Sequence, residues 1–191
     1  MSTNAGALFW LAGSLLASTC SSPSPDAGQV RTSYDTRTGR LTKIVVNAER
    51  DGKPDISSYM DGSKVIRIEI DKDEDGKIDR WEYYGADQKL EKVGLSRPND
   101  GVADTWLFQS SDGTIARTET ATRRDGKPNR FEFYEKGLLV RVEQDSDGDG
   151  RIDKWETHKD GALTTASFDT KGTGSPDTTI QYQDAQERTG R

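Results

Sequence analysis

A glycine-containing turn recurs along this chain at a nearly constant interval of 24 or 25 residues. The recurring glycines are Gly52, Gly76, Gly101, Gly126, Gly150 and Gly174. Self-similarity at a fixed period of this size is typical of repeat architectures, in which each unit packs only on its neighbours. The spacing therefore restricts the chain to an array of about six similar units.

Each unit contains the parts of a β-hairpin. An Asp-Gly loop leads into a short aromatic segment such as 81–84, and a tight turn follows it. An aliphatic segment such as 65–70 comes next, and its apolar and polar residues alternate with the period of two that indicates a strand. No stretch of 34–183 has the period of a helix. We therefore predict an all-β fold, a single-domain antiparallel β-hairpin repeat array over 34–183 with ten to twelve strands.

Two of the loops, at 71–82 and 145–156, carry a dense set of oxygen donors in the pattern D-x-D-x-D-G-x-I-D-x-W-E. Calcium takes six to eight oxygen ligands, and magnesium prefers octahedral sites that keep several waters. The predicted ligands are Asp71, Asp73, Asp75, the Lys77 carbonyl, Asp79 and Glu82 in one loop, and Asp145, Asp147, Asp149, the Arg151 carbonyl, Asp153 and Glu156 in the other. Because aspartates so close together repel one another without a counter-ion, we predict two calcium sites, with magnesium as the alternative.

Both loops resemble the calcium loop of the EF-hand family, with Gly76 and Gly150 at the sharp turn. The resemblance is confined to these two segments, because their flanks have strand patterns instead of helical ones. The loops are therefore predicted to join strands, as similar loops do in integrin-type propeller repeats. Successive strand residues point to opposite faces, which leaves open whether Glu82 and Glu156 reach the ion.

Two repeat families resemble other parts of the chain. Residues 34–42 resemble a YD repeat of the Rhs type, and the series from Trp81 onward is similar to the variant MORN repeats of bacterial proteins. Both resemblances imply an array of β-hairpins. The remaining loops, around Gly52, Gly101, Gly126 and Gly174, keep fewer carboxylates and are interpreted as hairpin connections.

Aromatic residues recur at one register of the repeat. They are Trp81, Tyr83, Trp106, Phe108, Phe131, Phe133 and Trp155. Packing in a core is one interpretation, and an exposed stripe that stacks on sugar rings is the other.

The first 33 residues differ from the repeats. A short apolar run precedes Cys20, and a Ser/Pro-rich segment follows it, which resembles a bacterial lipoprotein signal. The resemblance implies a signal peptide at 1–19, a lipidated Cys20 followed by a flexible tether at 20–33, and location at the outer membrane. Cleaved secretion and an apolar leader with a chance cysteine are the alternatives. Residues 184–191 are predicted to be a disordered tail.

Composition excludes several classes of function. The net charge of -6 argues against a nucleic-acid partner, because a phosphate-binding surface needs a basic excess. The single Cys and single His exclude a disulfide framework and most His-based catalytic sites. No catalytic motif is present, so the chain is not expected to be an enzyme.

Together these features predict a calcium-binding protein of the bacterial envelope, anchored by lipid, that acts as a structural or interaction surface for a protein or glycan partner. Two alternatives stay open. One is a glycan-binding module that uses the aromatic strands, and the other is an intracellular antitoxin or immunity protein of the MORN-like kind.

Overall fold

The computed structural model describes residues 29–47, 52–123 and 125–182, and these form thirteen β-strands. The strands are β1 (Gln29–Tyr34), β2 (Leu41–Asn47), β3 (Ile56–Asp61), β4 (Lys64–Ile70), β5 (Arg80–Tyr84), β6 (Leu90–Leu95), β7 (Thr105–Gln109), β8 (Ile115–Thr120), β9 (Arg130–Glu135), β10 (Leu138–Gln144), β11 (Lys154–Lys159), β12 (Ala162–Phe168) and β13 (Thr178–Gln181).

All thirteen strands belong to one antiparallel sheet in which spatial order follows chain order. Among the described residues, each strand contacts only the strands before and after it, so the sheet is a single layer. From β3 onward, tight turns join odd strands to the even strands that follow, and longer loops join even strands to odd ones. All the longer loops therefore lie at one set of strand ends, along the side of the sheet that we call the loop edge. The predicted all-β hairpin array is confirmed.

The sheet begins earlier than the sequence predicted. Strand β1 lies at Gln29–Tyr34, largely within the segment assigned to the tether, and it raises the strand number above the predicted ten to twelve. All six of its residues are exposed, so it has no alternation of buried and exposed positions to mark it. Its backbone pairs with β2 from Gln29 opposite Asn47 to Tyr34 opposite Leu41. The signal peptide, Cys20 and the tail at 184–191 lie outside the described residues.

One face of the sheet carries the recurring aromatic residues, and we call it the aromatic face. Trp81 pairs with Gly94, which pairs with Trp106, and the same row continues to Trp155. Directly paired residues point to the same face, so these rings lie in line across the strands. They are half-buried, a state between the core packing and the exposed stripe that the sequence suggested.

A second row on the aromatic face alternates rings with cations. Lys92 Nζ lies 4.9 Å from the centre of the Tyr83 ring, and the guanidinium of Arg141 lies 3.8 Å from that of Phe133. The Arg117 guanidinium lies 4.3 Å from the Phe108 ring in the same way. Cation–π contacts are worth about 0.5 to 1 kcal/mol each at exposed sites. Neighbouring strands are therefore joined by side-chain contacts that need no second layer.

The opposite face holds three of the four apolar residues that are buried among those described: Val93, Val142 and Ala166, of which Val142 is only 1% exposed. The fourth, Ala121, follows β8 at the start of a loop. So small a core agrees with the 31% hydrophobic content of the chain. The described residues include no helix that is long and apolar enough to cross a membrane.

Candidate metal site

Five long loops of the loop edge are each nine residues long, and four of them are described completely. They are the Asp71 loop (71–79), the Ser96 loop (96–104), the Asp145 loop (145–153), the Asp169 loop (169–177) and, with residue 124 outside the description, the Ala121 loop (121–129). Backbone hydrogen bonds join each loop to the next: the Ser96 N–H, for example, donates to the Asp79 carbonyl at 2.8 Å. The sheet therefore places the long loops side by side, with the Ser96 and Ala121 loops between the two acidic ones.

The Asp71 loop folds around its own carboxylates. The backbone N–H of Gly76 donates to Asp71 Oδ2 at 2.7 Å, and that of Lys72 donates to Asp79 Oδ2 at 2.7 Å. Carboxylate oxygens of Asp71, Asp73 and Asp79 lie within 4.8 Å of one another, a grouping that could hold a metal ion. Three of the predicted ligands therefore converge in this loop.

Asp71 has one oxygen that its surroundings do not satisfy. The residue is 3% exposed, and its Oδ1 has no hydrogen-bond partner among the described residues. A buried carboxylate oxygen without a partner is costly, because its lost hydration is not replaced. A cation held by the three converging carboxylates would supply the missing interaction.

Asp75 is held within the same loop by Lys77. The Lys77 backbone N–H donates to Asp75 Oδ1 at 2.8 Å, and Lys77 Nζ lies 3.1 Å from Asp75 Oδ2. These interactions lower the pKa of Asp75 below its ordinary value, so the carboxylate stays charged. Asp75 is not one of the three residues whose oxygens converge.

The Asp145 loop also brings three carboxylates together, but its third member is Asp149 instead of Asp153, the counterpart of Asp79. Its converging oxygens come from Asp145, Asp147 and Asp149, and Asp145 accepts backbone N–H bonds from Gly148 and Gly150. Asp145 also forms an ion pair with Arg123 of the preceding loop, with 3.1 Å between Nη2 and Oδ2. Arg123 and the two loop amides lower the pKa of Asp145. This loop therefore has a cation from the chain itself where the Asp71 loop has an unpartnered oxygen.

The predicted glutamate ligands lie outside the two groups of converging carboxylates. Glu82 and Glu156 lie within β5 and β11 and are not among the converging carboxylates. Glu82 binds Arg80 and Tyr84 of its own strand, and Glu156 lies 2.6 Å from Lys154 Nζ. Roles for the carbonyls of Lys77 and Arg151 stay predictions. Arg151 pairs through its side chain with Asp149 at 2.7 Å, which helps lower the pKa of Asp149.

Asp79 and Asp153 also have a structural role that the sequence analysis missed. The residue at this position closes its loop by accepting the N–H of the loop's second residue, as Asp153 does from Ser146 at 3.0 Å. Asp104, Asn129 and Asp177 do the same in the loops that lack the full acidic pattern. The signal was present in the sequence, since an Asp or Asn is kept at this position in loops that have lost other carboxylates.

Comparison with known proteins adds no family. No protein-family model matches the chain, and no curated protein matches it. One similar solved structure is that of accessory secretory protein 1, 2 and 3 in Streptococcus pneumoniae, at 16% identity and a TM-score of 0.32. The match covers 61% of this chain and 19% of that chain.

Proposed function

We propose that the protein binds calcium at the loop edge and that the ion fixes neighbouring hairpins in one arrangement. The observation that carries the proposal is the unpartnered Oδ1 of the buried Asp71, in a group of three converging carboxylates. Asp71, Asp73 and Asp79 would hold the ion in one loop, and Asp145, Asp147 and Asp149 in the other. In the Asp71 loop the bound ion would supply the partner that Asp71 Oδ1 lacks, and in the Asp145 loop it would lie beside the Arg123 guanidinium.

Calcium suits the loops better than magnesium does. The converging groups are carboxylate oxygens on nine-residue loops, and calcium accepts irregular sets of six to eight oxygens. Magnesium demands near-octahedral geometry and gives up its water reluctantly. An ion that binds only the folded state adds about 2.7 kcal/mol to the free energy of unfolding when its concentration is 100 times Kd.

Calorimetric titration of the chelator-treated protein with calcium tests this proposal. We expect heat of binding from calcium and a melting temperature roughly 5 to 10 °C higher in saturating calcium than in EDTA, because about 2.7 kcal/mol shifts a protein of this size by that amount. Replacing Asp71→Asn together with Asp73→Asn should remove one site.

A matched control uses Asp87→Asn in the turn between β5 and β6, which removes an acidic charge at the opposite edge. This variant should bind calcium like the wild type. If the wild type gives no heat with calcium and melts at the same temperature in calcium and in EDTA, the loops are acidic turns and the proposal fails.

We further propose that the protein is a non-enzymatic, lipid-anchored component of the bacterial envelope that contacts a protein or glycan instead of nucleic acid. The position of Cys20 between an apolar run and a Ser/Pro-rich segment supports the anchor. Millimolar calcium outside the cell would suit sites of the affinity that extracellular modules show, about 10⁻⁴ to 10⁻³ M. Replacing Cys20→Ala should release the protein from the membrane fraction, and unchanged membrane association would contradict the anchor.

The aromatic face does not favour glycan binding as the main function. Sugars stack on the flat faces of rings, and cations from neighbouring strands already lie over the rings of Tyr59, Trp106, Phe108 and Phe133. A structural role in joining the strands accounts for these rings directly.

A further inference from the structure

The first metal site extends beyond its own loop. Asn99, in the Ser96 loop, donates from Nδ2 to Asp73 Oδ2 at 2.7 Å and to Asp75 Oδ2 at 3.3 Å. The Asp71 loop holds Asn99 in return, since Lys77 Nζ donates to the Asn99 carbonyl at 3.1 Å. A side chain of one repeat therefore lies against the carboxylates of the repeat before it.

Asn99 carries a second unpartnered oxygen at this site. Its Oδ1 is buried and has no hydrogen-bond partner among the described residues, as is also true of Asp71 Oδ1. Asp71, a member of the carboxylate group, and Asn99, which contacts that group, thus each carry a buried oxygen without a partner. Amide oxygens of Asn side chains are ordinary calcium ligands, and a half-turn of the amide exchanges its oxygen with the nitrogen that now faces Asp73 and Asp75.

We propose that Asn99 is a calcium ligand of the Asp71 loop, supplied by the next repeat through its amide oxygen. The proposal rests on calcium binding at this loop and adds that the site crosses two repeats. An ion bound there would join the Asp71 and Ser96 loops directly. The site would gain a neutral oxygen donor from outside the acidic loop.

The Asp145 loop lacks the corresponding residue. Gly172 takes the place of Asn99 in the Asp169 loop that follows it, and both have left-handed backbone, with φ of 67° at Gly172 and 57° at Asn99. Gly172 has no side chain to offer, and Arg123 already pairs with Asp145. The two loops therefore differ in their outer ligands although their acidic patterns are the same, and the Asp71 loop is the tighter site.

The test measures calcium affinity by calorimetry in the full chain with Asp147→Asn and Asp149→Asn, which leave the Asp71 loop as the single intact acidic loop. In this background, Asn99→Gly should weaken calcium binding by about 10- to 100-fold, the usual effect of losing a residue that supports a metal site. Glycine accommodates the left-handed backbone without strain. Melting in EDTA checks that the variant is folded.

Asn99→Asp separates a ligand from a hydrogen-bond donor. A carboxylate at this position keeps an oxygen for the ion and loses the N–H donor, so it should bind calcium at least as tightly as Asn99 while lowering the melting temperature in EDTA. Unchanged affinity in Asn99→Gly, or equal losses in Asn99→Gly and Asn99→Asp, would overturn the proposal. No binding in the wild type would instead defeat calcium binding itself, and binding in the wild type that is lost in the background would show that the Asp71 loop is not a site.

Discussion

At the scale of single residues, the half-buried Glu82 is stabilised by two neighbours on its own strand. Arg80 Nε donates to Glu82 Oε1 at 2.7 Å, and the Tyr84 hydroxyl donates to Oε2 at 2.6 Å. Burial acts to raise the pKa of Glu82, but the two donors outweigh it and leave that pKa below its ordinary value. The same arrangement recurs at Glu132 with Arg130 and Tyr134. Alternate residues of the aromatic strands thus form a repeated polar unit.

Tyr84 makes this unit sensitive to alkaline pH. Burial, together with the Glu82 carboxylate that accepts its hydrogen bond, raises the pKa of Tyr84 to about 12. Because the folded state holds this proton more tightly than the unfolded state, the resulting stability is complete below pH about 10 and is lost as the pH rises toward 12. Tyr84→Phe should lower the free energy of unfolding at pH 7 by about 1.5 to 3 kcal/mol, the range for a hydrogen bond to a charged group.

Urea unfolding at pH 7, and ultraviolet titration of the tyrosines, measure these two effects. In Tyr84→Phe, the tyrosine ionisation near pH 12 should be missing from the ultraviolet titration. Tyr34→Phe is the control, since Tyr34 is 58% exposed on β1, and it should leave the stability unchanged. A Tyr84 that ionises with the exposed tyrosines would contradict the role of Glu82.

At the scale of elements, the sequence was sufficient to predict the hairpins. The 24- to 25-residue period and the alternation in segments such as β4 identify strands, because both depend on local spacing alone. Strand β1 was missed because all its side chains are exposed and its stability comes from backbone pairing with β2. An exposed edge strand has no burial pattern for the sequence to show.

Contacts between repeats were the part that local patterns could not predict. Gly94 occupies the position that Glu69, Glu119 and Glu143 hold in other even strands. A Cβ at Gly94 would lie 2.6 Å from Trp106, so the glycine lets the indole ring lie against the β6 backbone. Asn99 and Arg123 contact acidic loops 24 and 22 residues away. Their roles depend on which loops the sheet places side by side.

Three of the predicted ligands converge in each acidic loop, and whether they bind an ion stays a prediction. Asp71, Asp73 and Asp79 converge as oxygen donors, yet Asp79 would be kept for closing the loop even without an ion. Asp73 and Asp147 separate the two acidic loops from the other long loops better than Asp79 does. The Ser96, Ala121 and Asp169 loops have no carboxylate at this third position.

At the scale of the whole molecule, each repeat is stabilised only by its own contacts and by those with the neighbouring repeats. With a single layer and four buried apolar residues among those described, no common core links distant strands. In such arrays the free energy of unfolding is close to a sum of unit and interface contributions. The loop edge adds links between adjacent loops, through Asn99 to the Asp71 loop and through Arg123 to the Asp145 loop.

Hydrogen exchange measured by mass spectrometry should show how far these links extend. We expect calcium to slow amide exchange in the Asp71 and Ser96 loops together, because Asn99 and the Ser96 N–H join them. In the variant with Asp71→Asn and Asp73→Asn, calcium should no longer protect these two loops but should still protect the Asp145 loop, since contacts in the array are local. A variant that loses calcium protection along the whole loop edge would show instead that the sheet responds as one cooperative unit. Protection of the Asp71 loop without the Ser96 loop would show that the ion does not join the repeats.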